Sequence, residues 1–308
     1  MIALIYPWMI VLLIVIALLL AVRKRFVIGG VCFLAGLLLN WYCECFAFHF
    51  AGSSDAVDGK AIRVMSWNVN AETSTSKEEL EGIAEVICAE DPDVVFVAEL
   101  FLNASDTLTQ IMVDRYPYTT YLKQEYDRGH YVYSKYRLSD HKFMTQNEWN
   151  GLVLQTKVYV GNDSVLIYGC HLASNNYDAE MKYMTPDSVA TTQNALKYLK
   201  NIQRASAIRV EESDSIVSDM RKYDVPAIVM GDMNDVCGSQ CIKVFAEAGL
   251  HDAWWDGGFG YGATIHKPLA YRIDHVLYLG GLKLKGIRKV TANGLSDHDA
   301  LVADFTLR

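Results

Sequence analysis

The sequence has little positive charge. Its 308 residues include 28 Lys and Arg against 36 Asp and Glu, which gives a net charge of −8 at pH 7. Three of the basic residues precede position 50, so the remainder of the chain is more acidic than the whole. A protein that binds duplex DNA by neutralising its phosphates needs a basic face, and this composition argues against one. A small ligand, or one with a neutral head group, suits the charge better.

The cysteines lack the spacing of a structural zinc site. None of those that follow position 50 has a partner at zinc-finger distance along the sequence. Cys237 and Cys241, in CGSQC, are close enough for a local disulfide in an oxidising compartment, provided that their Cα atoms come within about 7 Å. The sequence leaves that pairing open.

Two long apolar runs occupy the N-terminus, at residues 2–22 and about 27–48, separated by Arg23, Lys24 and Arg25. Each is long enough to cross a bilayer as a helix. We therefore predict a membrane anchor at 1–50 made of two transmembrane helices. The positive-inside rule keeps residues 23–25 in the cytoplasm, which puts both ends of the hairpin and the rest of the chain outside it. In a cell with two membranes that location is the periplasm.

Each run has an alternative interpretation. The first could be a cleaved signal peptide, although its charges follow the apolar stretch and no small-residue cleavage site is evident. The second, which contains Glu44, could be a buried helix of a soluble protein.

No internal repeat, low-complexity run or second domain boundary follows residue 60. The polar stretch 51–60 predicts a linker, and 61–308 predicts one domain. Strand-like apolar runs mix there with helical periodicity, which predicts an α/β (α+β) domain with mixed sheets and outer helices. The expected strands are 62–67, 93–98, 130–134, 152–159, 164–170, 226–230, 272–279 and 300–306. The expected helices are 77–90, 103–113, 191–221 and 239–248, and the polar segment 172–190 predicts a loop or lid.

Most of the strand-like runs end in a polar residue that is able to do chemistry. Strands that stop at such residues bring them to one rim of a sheet, and carboxylates crowded there repel unless a cation or a substrate phosphate offsets the charge. That arrangement suits metal-assisted attack of water on a phosphoester. The residues are Asn68, Glu99, His171, Asp232, Asn234, Asp274, Asp297 and His298.

Taken singly, these positions are weak signals, since turn residues, helix caps and buried histidines occupy similar places. GDMND is stronger, because a buried-strand run ends in Gly231, and Asp232 and Asn234 then project to the same side while Asp235 faces away. The sequence SDH places Asp297 beside His298 where a strand begins.

The ordered motifs WNV, a strand-end Glu, HL, GDMND, RIDH and SDH resemble the endonuclease/exonuclease/phosphatase superfamily of deoxyribonuclease-like phosphodiesterases. The resemblance covers 61–308 and leaves the first 50 residues outside. It implies a four-layer sandwich of two mixed β-sheets flanked by helices. The sequence departs from the family pattern at Ala98, Arg137 and His275, none of which is a catalytic position.

The resemblance also implies a metal site. Glu99 would be the main ligand of Mg²⁺, or of Mn²⁺ as an alternative, with Asn68 beside it. Asp297 would be a further carboxylate on the metal side, either direct or through water. Mg²⁺ prefers oxygen ligands and takes only one or two protein carboxylates, which agrees with this set.

The remaining residues would carry the catalytic roles. Asp232 resembles the residue that orients or deprotonates the attacking water, and Asn234 would hold that water and a phosphate oxygen. His298 resembles the histidine that contacts the scissile phosphate, with Asp274 fixing its tautomer. His171 resembles a second histidine that contacts the phosphate or protonates the leaving oxygen.

The substrate is less defined. A Gly-rich segment contains Trp254, Trp255, Phe259, Tyr261 and His266, which could stack a ring, lean on the membrane interface or simply pack against the core. The leading hypothesis is a membrane-anchored phosphoesterase acting on a lipid, a small molecule or a nucleic acid. The alternative is a non-catalytic binding module that keeps the fold. No protein partner is indicated.

Overall fold

The computed structural model describes residues 2–49, 59–71, 75–123, 128–146, 151–175, 192–266 and 269–307. Two helices, α1 (Tyr6–Val22) and α2 (Phe26–Cys43), form the N-terminus. They pack against each other, since a Cβ at Gly29 would lie 3.1 Å from the carbonyl oxygen of Ala17. Both are long and apolar enough to cross a membrane.

The surface of this helical pair is unusually apolar. Large side chains stay exposed along both helices, and Leu18 and Val27 are 61% and 83% exposed. A buried helix of a soluble protein would hide such side chains, and most of those on α2 are not hidden. The exposed apolar surface is what a helical pair in lipid would present.

Fourteen strands are present in the described part of the chain. Two short ones, β1 (Ala47–Phe48) and β11 (Phe259–Gly260), pair with each other. The first large sheet contains β2 (Lys60–Ala71), β3 (Val94–Phe101), β4 (Tyr118–Lys123), β5 (Arg128–Ser134), β13 (Leu282–Val290) and β14 (Ala300–Leu307), in the order β13-β14-β2-β3-β5-β4.

The second large sheet has the order β10-β12-β9-β8-β7-β6. Its strands are β6 (Lys142–Gln146), β7 (Leu152–Val160), β8 (Asp163–His171), β9 (Ala227–Asp232), β10 (His251–Asp252) and β12 (Asp274–Leu279). Both sheets mix parallel and antiparallel pairs: β2 runs parallel to β3 and β8 runs parallel to β9, while their other neighbours are antiparallel.

The two sheets face each other across the main core. Phe96 of β3 points into this core with Ile167 of β8 and Met230 of β9. Its neighbours Val95 and Val97 point to the opposite face, as the two-residue period of a strand requires. Aromatic and β-branched side chains therefore hold the sheets together as a sandwich.

Helices cover the outer faces. On the first sheet lie α3 (Lys77–Glu90), which begins with a capping box between Ser76 and Glu79, and α4 (Leu102–Met112). On the second lie α5 (Thr192–Met220) and α6 (Gln240–Glu247), while the short α7 (Ala253–Gly257) packs beside the main core. The result is helix, sheet, sheet, helix, so the predicted four-layer sandwich is confirmed.

The expected strands and the hairpin between β7 and β8 are present, but β1, β4, β6, β10, β11 and β13 were not predicted from the sequence. The predicted linker at 51–60 and the predicted loop at 172–190 lie largely outside the described residues. The open pairing of Cys237 with Cys241 finds no support, because the sulfur of Cys237 contacts that of Cys45 instead. Cys241 contacts the Ser213 hydroxyl at 3.1 Å instead.

The backbone conformation at the glycine of GDMND, and the space around it, require a residue without a side chain. Gly231 has φ of +140°, and a Cβ there would lie 1.9 Å from the carbonyl oxygen of Cys170 on the neighbouring strand. We expect Gly231→Ala to lower the free energy of unfolding by at least about 2 kcal/mol, because the backbone conformation is strained for alanine and the strand would have to move. Gly286→Ala, where a Cβ meets nothing within 4 Å, is the matched control. Thermal unfolding of both variants measures the effect, and equal melting temperatures would contradict it.

Candidate active site

Strand ends from both sheets meet at one rim of the sandwich. Asn68 and Glu99 come from the neighbouring parallel strands β2 and β3. His171, Asp232 and Asp274 come from β8, β9 and β12, where His171 pairs with Asp232 and Asp232 pairs with Asp274 in register. Strand register therefore brings the three side chains of the second sheet together opposite those of the first.

The first cluster joins the two sheets. Nδ2 of Asn68 donates to Oε1 of Glu99 at 3.0 Å and lies 3.1 Å from Oδ2 of Asp232, to which it also donates. Nε2 of His171 lies 2.9 Å from Oε1 of Glu99 and 3.8 Å from Oδ2 of Asp232. The ligand atoms of Glu99, His171 and Asp232 all lie within 4.8 Å of one another.

Asn234 borders this cluster. Its backbone N–H donates to Oδ1 of Asp232 at 2.8 Å, and its side-chain Nδ2 donates to the carbonyl oxygen of Leu172 at 2.9 Å. The same Nδ2 lies 3.5 Å from Nε2 of His171. Asp232 and Asn234 therefore lie on one side, as the alternation in GDMND predicts, whereas Asp235 forms a buried ion pair with Arg209 at 3.0 Å.

The second cluster consists of Asp232, Asp274 and His298. Nδ1 of His298 lies 2.8 Å from Oδ2 of Asp274, and its Nε2 lies 3.8 Å from Oδ2 of Asp232. Trp67 fixes the backbone of this histidine, because its indole N–H donates to the carbonyl oxygen of His298 at 2.9 Å. Asp232 belongs to both clusters and links them into one site.

The charges in the site are strongly coupled. Burial alone would lower the pKa of His298, but the carboxylates of Asp274 and Asp232 outweigh burial and raise that pKa to about 10. Burial, together with the nearby carboxylate of Asp274, raises the pKa of Asp232 above its usual range. At neutral pH the site therefore holds a cationic His298 beside a carboxylate that accepts protons more readily than a free aspartate.

Two site residues adopt backbone conformations that are uncommon outside glycine. Glu99 has φ of +55° and Asn234 has φ of +50°. At Glu99 the pairing of β3 with β2 and β5 shifts register, which indicates a bulge. Positive φ at a carboxylate that ends a strand turns the side chain toward the second sheet, and such conformations cluster at functional sites.

Two predicted features lie outside the two clusters. Asp297 accepts a hydrogen bond from Nδ2 of Asn70 at 3.2 Å and belongs to neither of the two clusters that the described residues form. Most of the aromatic segment packs rather than lining the site: Trp254 is buried and donates to the carbonyl oxygen of Gly260, and the ring of Tyr261 contacts that of Phe46. His266 pairs with Asp299 at 2.9 Å.

Three supporting residues were missed by the sequence reasoning. The ring of His130 lies 5.5 Å from the ring of His171, centre to centre. Ser296 donates from Oγ to the carbonyl oxygen of Asn68 and accepts from the N–H of His298. Oγ1 of Thr264 accepts from the N–H of Asp274. Only Ser296 had a signal in the sequence, as the first letter of SDH.

The donor set fits a hard divalent cation. The half-buried carboxylate of Glu99 and the buried carboxylate of Asp232 both accept from one shared amide, that of Asn68, which offsets part of their repulsion. Oxygen donors on adjacent strand ends are what Mg²⁺ and Mn²⁺ bind, and a cation would offset the same repulsion more strongly.

The fold and the site define the class of this protein: it is a metal-dependent hydrolase of phosphoester bonds. Residues 65–298 match the model of the Endonuclease/Exonuclease/phosphatase family, and the chain belongs to that family. The resemblance predicted from the motifs is thereby confirmed.

Solved structures share this fold at low sequence identity. Truncated Caenorhabditis elegans TDP2 has a TM-score of 0.59 and 15% identity, over 80% of this chain and 98% of that chain. The human Nocturnin catalytic domain with bound sulfate has a TM-score of 0.57 and 20% identity, over 80% and 94%. D. rerio TDP2 complexed with single strand DNA product has a TM-score of 0.58 and 15% identity, over 80% and 99%. No curated protein sequence matches the chain significantly.

The contact between Asp274 and His298 yields a direct test. In the metal-free protein we expect Asp274→Asn to lower the pKa of His298 from about 10 by roughly 1–3 units, because the nearest opposite charge is removed. Histidine ring resonances followed by NMR against pH measure this pKa, and His298→Gln identifies the resonance by its loss. A pKa unchanged in Asp274→Asn would contradict the assigned contact.

Proposed function

We propose that this protein is a membrane-anchored, Mg²⁺-dependent phosphodiesterase that hydrolyses the phosphodiester of a membrane lipid outside the cytoplasm. In this proposal residues 1–50 are the anchor, 51–60 the linker and 61–308 the catalytic domain. The observation that carries it is the convergence of two linked clusters of carboxylates and histidines at a rim that borders the N-terminal helices.

The metal would be held by Asn68 and Glu99, with Asp297 as a further carboxylate on that side. When bound, the ion supplies charge neutralisation for the phosphoryl oxygens. Asn68 donates hydrogen bonds to both Glu99 and Asp232. The proposed ligands of the ion are therefore in direct contact with the residue that would orient the water.

The attacking water would be oriented and deprotonated by Asp232. Burial and Asp274 raise the pKa of this carboxylate toward the range in which a general base works well. The amide of Asn234, fixed by Leu172, would donate to the water or to a phosphate oxygen.

Protonated His298 would contact the scissile phosphate, and Asp274 would hold the ring in place through Nδ1 and leave Nε2 toward the reacting groups. His171 would donate a proton to the leaving oxygen or contact the phosphate. No covalent nucleophile is needed for this reaction, since water attacks in line and the leaving oxygen takes a proton.

Contacts between the helical pair and the site rim support a substrate in the membrane. The hydroxyl of Tyr271 donates to the carbonyl oxygen of Leu4, and Tyr271 pairs in a short bridge with Ile265, which also bridges His298. Arg272 donates to the carbonyl oxygen of Glu44 at 3.1 Å, two residues before Asp274. The ends of both helices thus contact the segment that leads into the catalytic pair.

The charge of the domain also favours this substrate. After position 50 the chain has 25 Lys and Arg against 35 Asp and Glu, a net charge of −10, which repels long polyanions. Single-stranded nucleic acid is the second candidate, because D. rerio TDP2, which shares the fold, is described in complex with a single strand DNA product.

Catalysis is tested with the full chain in detergent and Mg²⁺. We expect Glu99→Gln and Asp232→Asn each to lower turnover of a chromogenic phosphodiester by at least about 100-fold, because a ligand and a proton acceptor are removed. Glu81→Gln, which changes an exposed carboxylate paired with Lys77, should keep wild-type activity. Equal activity in all three variants would contradict the assignment of this site.

The substrate class is tested with the full chain reconstituted into vesicles that contain phosphatidylinositol or sphingomyelin, to which single-stranded DNA or duplex DNA is added as a competing substrate. We expect turnover of a lipid phosphodiester to exceed that of either DNA by at least about 10-fold, since effective concentration at the membrane favours a tethered enzyme. Faster turnover of single-stranded DNA would replace the lipid with the second candidate.

The orientation is tested by alkaline-phosphatase fusions in a bacterial host. We expect a fusion after Arg308 to be active and a fusion after Arg25 to be inactive, because residues 23–25 should stay in the cytoplasm. An inactive fusion at Arg308 beside an active one at Arg25 would reverse the proposed orientation.

A further inference from the structure

Three cysteines meet where the helical pair joins the catalytic domain. Cys43 ends α2, Cys45 follows it, and Cys237 follows β9 of the catalytic domain. All three are buried, at 1%, 0% and 1% exposed. Sγ of Cys45 lies 2.8 Å from Sγ of Cys237 and 3.5 Å from Sγ of Cys43.

We propose that Cys45 and Cys237 form a disulfide bond that fastens the membrane anchor to the catalytic domain. The proposal rests on the extracytoplasmic location proposed above, because disulfides persist in oxidising compartments and are rare in the cytosol. It assigns to Cys237 a partner 192 residues away along the chain rather than its neighbour Cys241.

The other nearby thiols have different partners. Cys43 donates from Sγ to the carbonyl oxygen of Leu39 at 2.7 Å, within its own helix. Cys241 contacts Ser213 of α5. Cys45 is thus the thiol in contact with Cys237, and a separation of 2.8 Å needs only a small movement to reach the bonded length of about 2.05 Å.

Contacts that do not involve sulfur already hold the two segments together. Arg272, which is fully buried and paired with Asp252 at 2.6 Å, donates to the carbonyl oxygen next to Cys45. Strands β1 and β11 pair just beyond. The anchor and the domain are therefore aligned before any covalent bond forms, which is the condition under which a bond adds no distortion.

Asn40 shapes the turn that presents Cys45. Its side chain donates to the carbonyl oxygen of Phe46 at 2.9 Å and accepts from the N–H of Phe46 at 2.8 Å. Glu44 takes the left-handed conformation with φ of 53° at the end of α2. The segment after Cys237 also lies close to the end of α2, since a Cβ at Gly238 would lie 2.5 Å from Cβ of Cys43.

The chemistry is thiol–disulfide exchange with a small or protein disulfide as the oxidant. The thiolate of one cysteine attacks the oxidant and releases one of its thiols, and the thiolate of the other cysteine then displaces the second. Two protons leave the protein, and its two electrons reduce the oxidant's disulfide to two thiols. Because both sulfurs are buried in the folded chain, the exchange takes place while the anchor and the domain are docking. Once formed, the bond is shielded from reductants.

The test uses the full chain, purified in detergent after refolding with glutathione disulfide. Digestion with trypsin without reduction releases residues 26–60, which contain Cys32, Cys43 and Cys45, and residues 223–243, which contain Cys237 and Cys241. We expect mass spectrometry to find these two peptides covalently linked and to find them separate after reduction. Their absence as a linked pair would overturn the proposal.

Single variants identify the sulfurs. The link should survive in Cys32→Ser, Cys43→Ser and Cys241→Ser, and both Cys45→Ser and Cys237→Ser should abolish it. A link that survives Cys45→Ser and is lost in Cys43→Ser would overturn the assignment. Since the wild-type digest needs no variant, misfolding of a variant cannot hide the result.

Resistance to reductant is an independent readout. In the folded chain we expect the link to survive millimolar dithiothreitol that reduces it fully in denaturant. Rapid reduction without denaturant would contradict a bond between these buried sulfurs. Alkylation of free thiols in intact cells reports the compartment separately, so a cytoplasmic location would leave the refolded protein linked but the cellular protein reduced.

Discussion

The repulsion among three carboxylates taken out of water is the constraint on which this structure depends. Glu99, Asp232 and Asp274 come from three strands in two sheets and meet at one rim. Bringing them together is unfavourable unless other groups compensate, and the amide of Asn68 and the ring of His298 do so directly. The same excess of acceptors makes the rim a place for a cation and for the phosphate that a cation attracts.

Strand register places those groups. In the second sheet His171 lies opposite Asp232, and Asp232 lies opposite Asp274, so one row across three strands carries an imidazole and two carboxylates. A slip by one residue would turn that row to the other face. Gly231 allows β9 to approach Cys170 of β8 closely at this row. The same backbone contact therefore fixes the positions of the side chains in the row.

The positions of Asn68, Glu99, His171, Asp232 and Asp274 are visible in the sequence because each lies at an end of an apolar run, where the hydrophobicity changes. The structure brings these side chains together, and their catalytic roles stay a prediction. The sequence was not sufficient for β4, β6, β10 and β13, and all four are edge strands of the two large sheets. An edge strand has one unpaired side and tolerates polar residues, as LKLKGIRKV in β13 shows, so its apolar signal is weak. Contacts between distant segments, such as that of Cys45 with Cys237, have no local signature at all.

The position of the N-terminal helical pair bears on the proposed substrate. Contacts at Leu4 and Glu44 connect both ends of the helical pair to the segment at Tyr271 and Arg272, which leads into Asp274. If the pair spans a bilayer, this connection holds the catalytic rim near the lipid head groups. A phosphodiester in that surface needs no electrostatic attraction to reach the rim, because tethering alone raises its effective concentration. An acidic domain weakens the capture of a polyanion from solution, because like charges repel. The same charge matters less for an enzyme that is held beside its substrate.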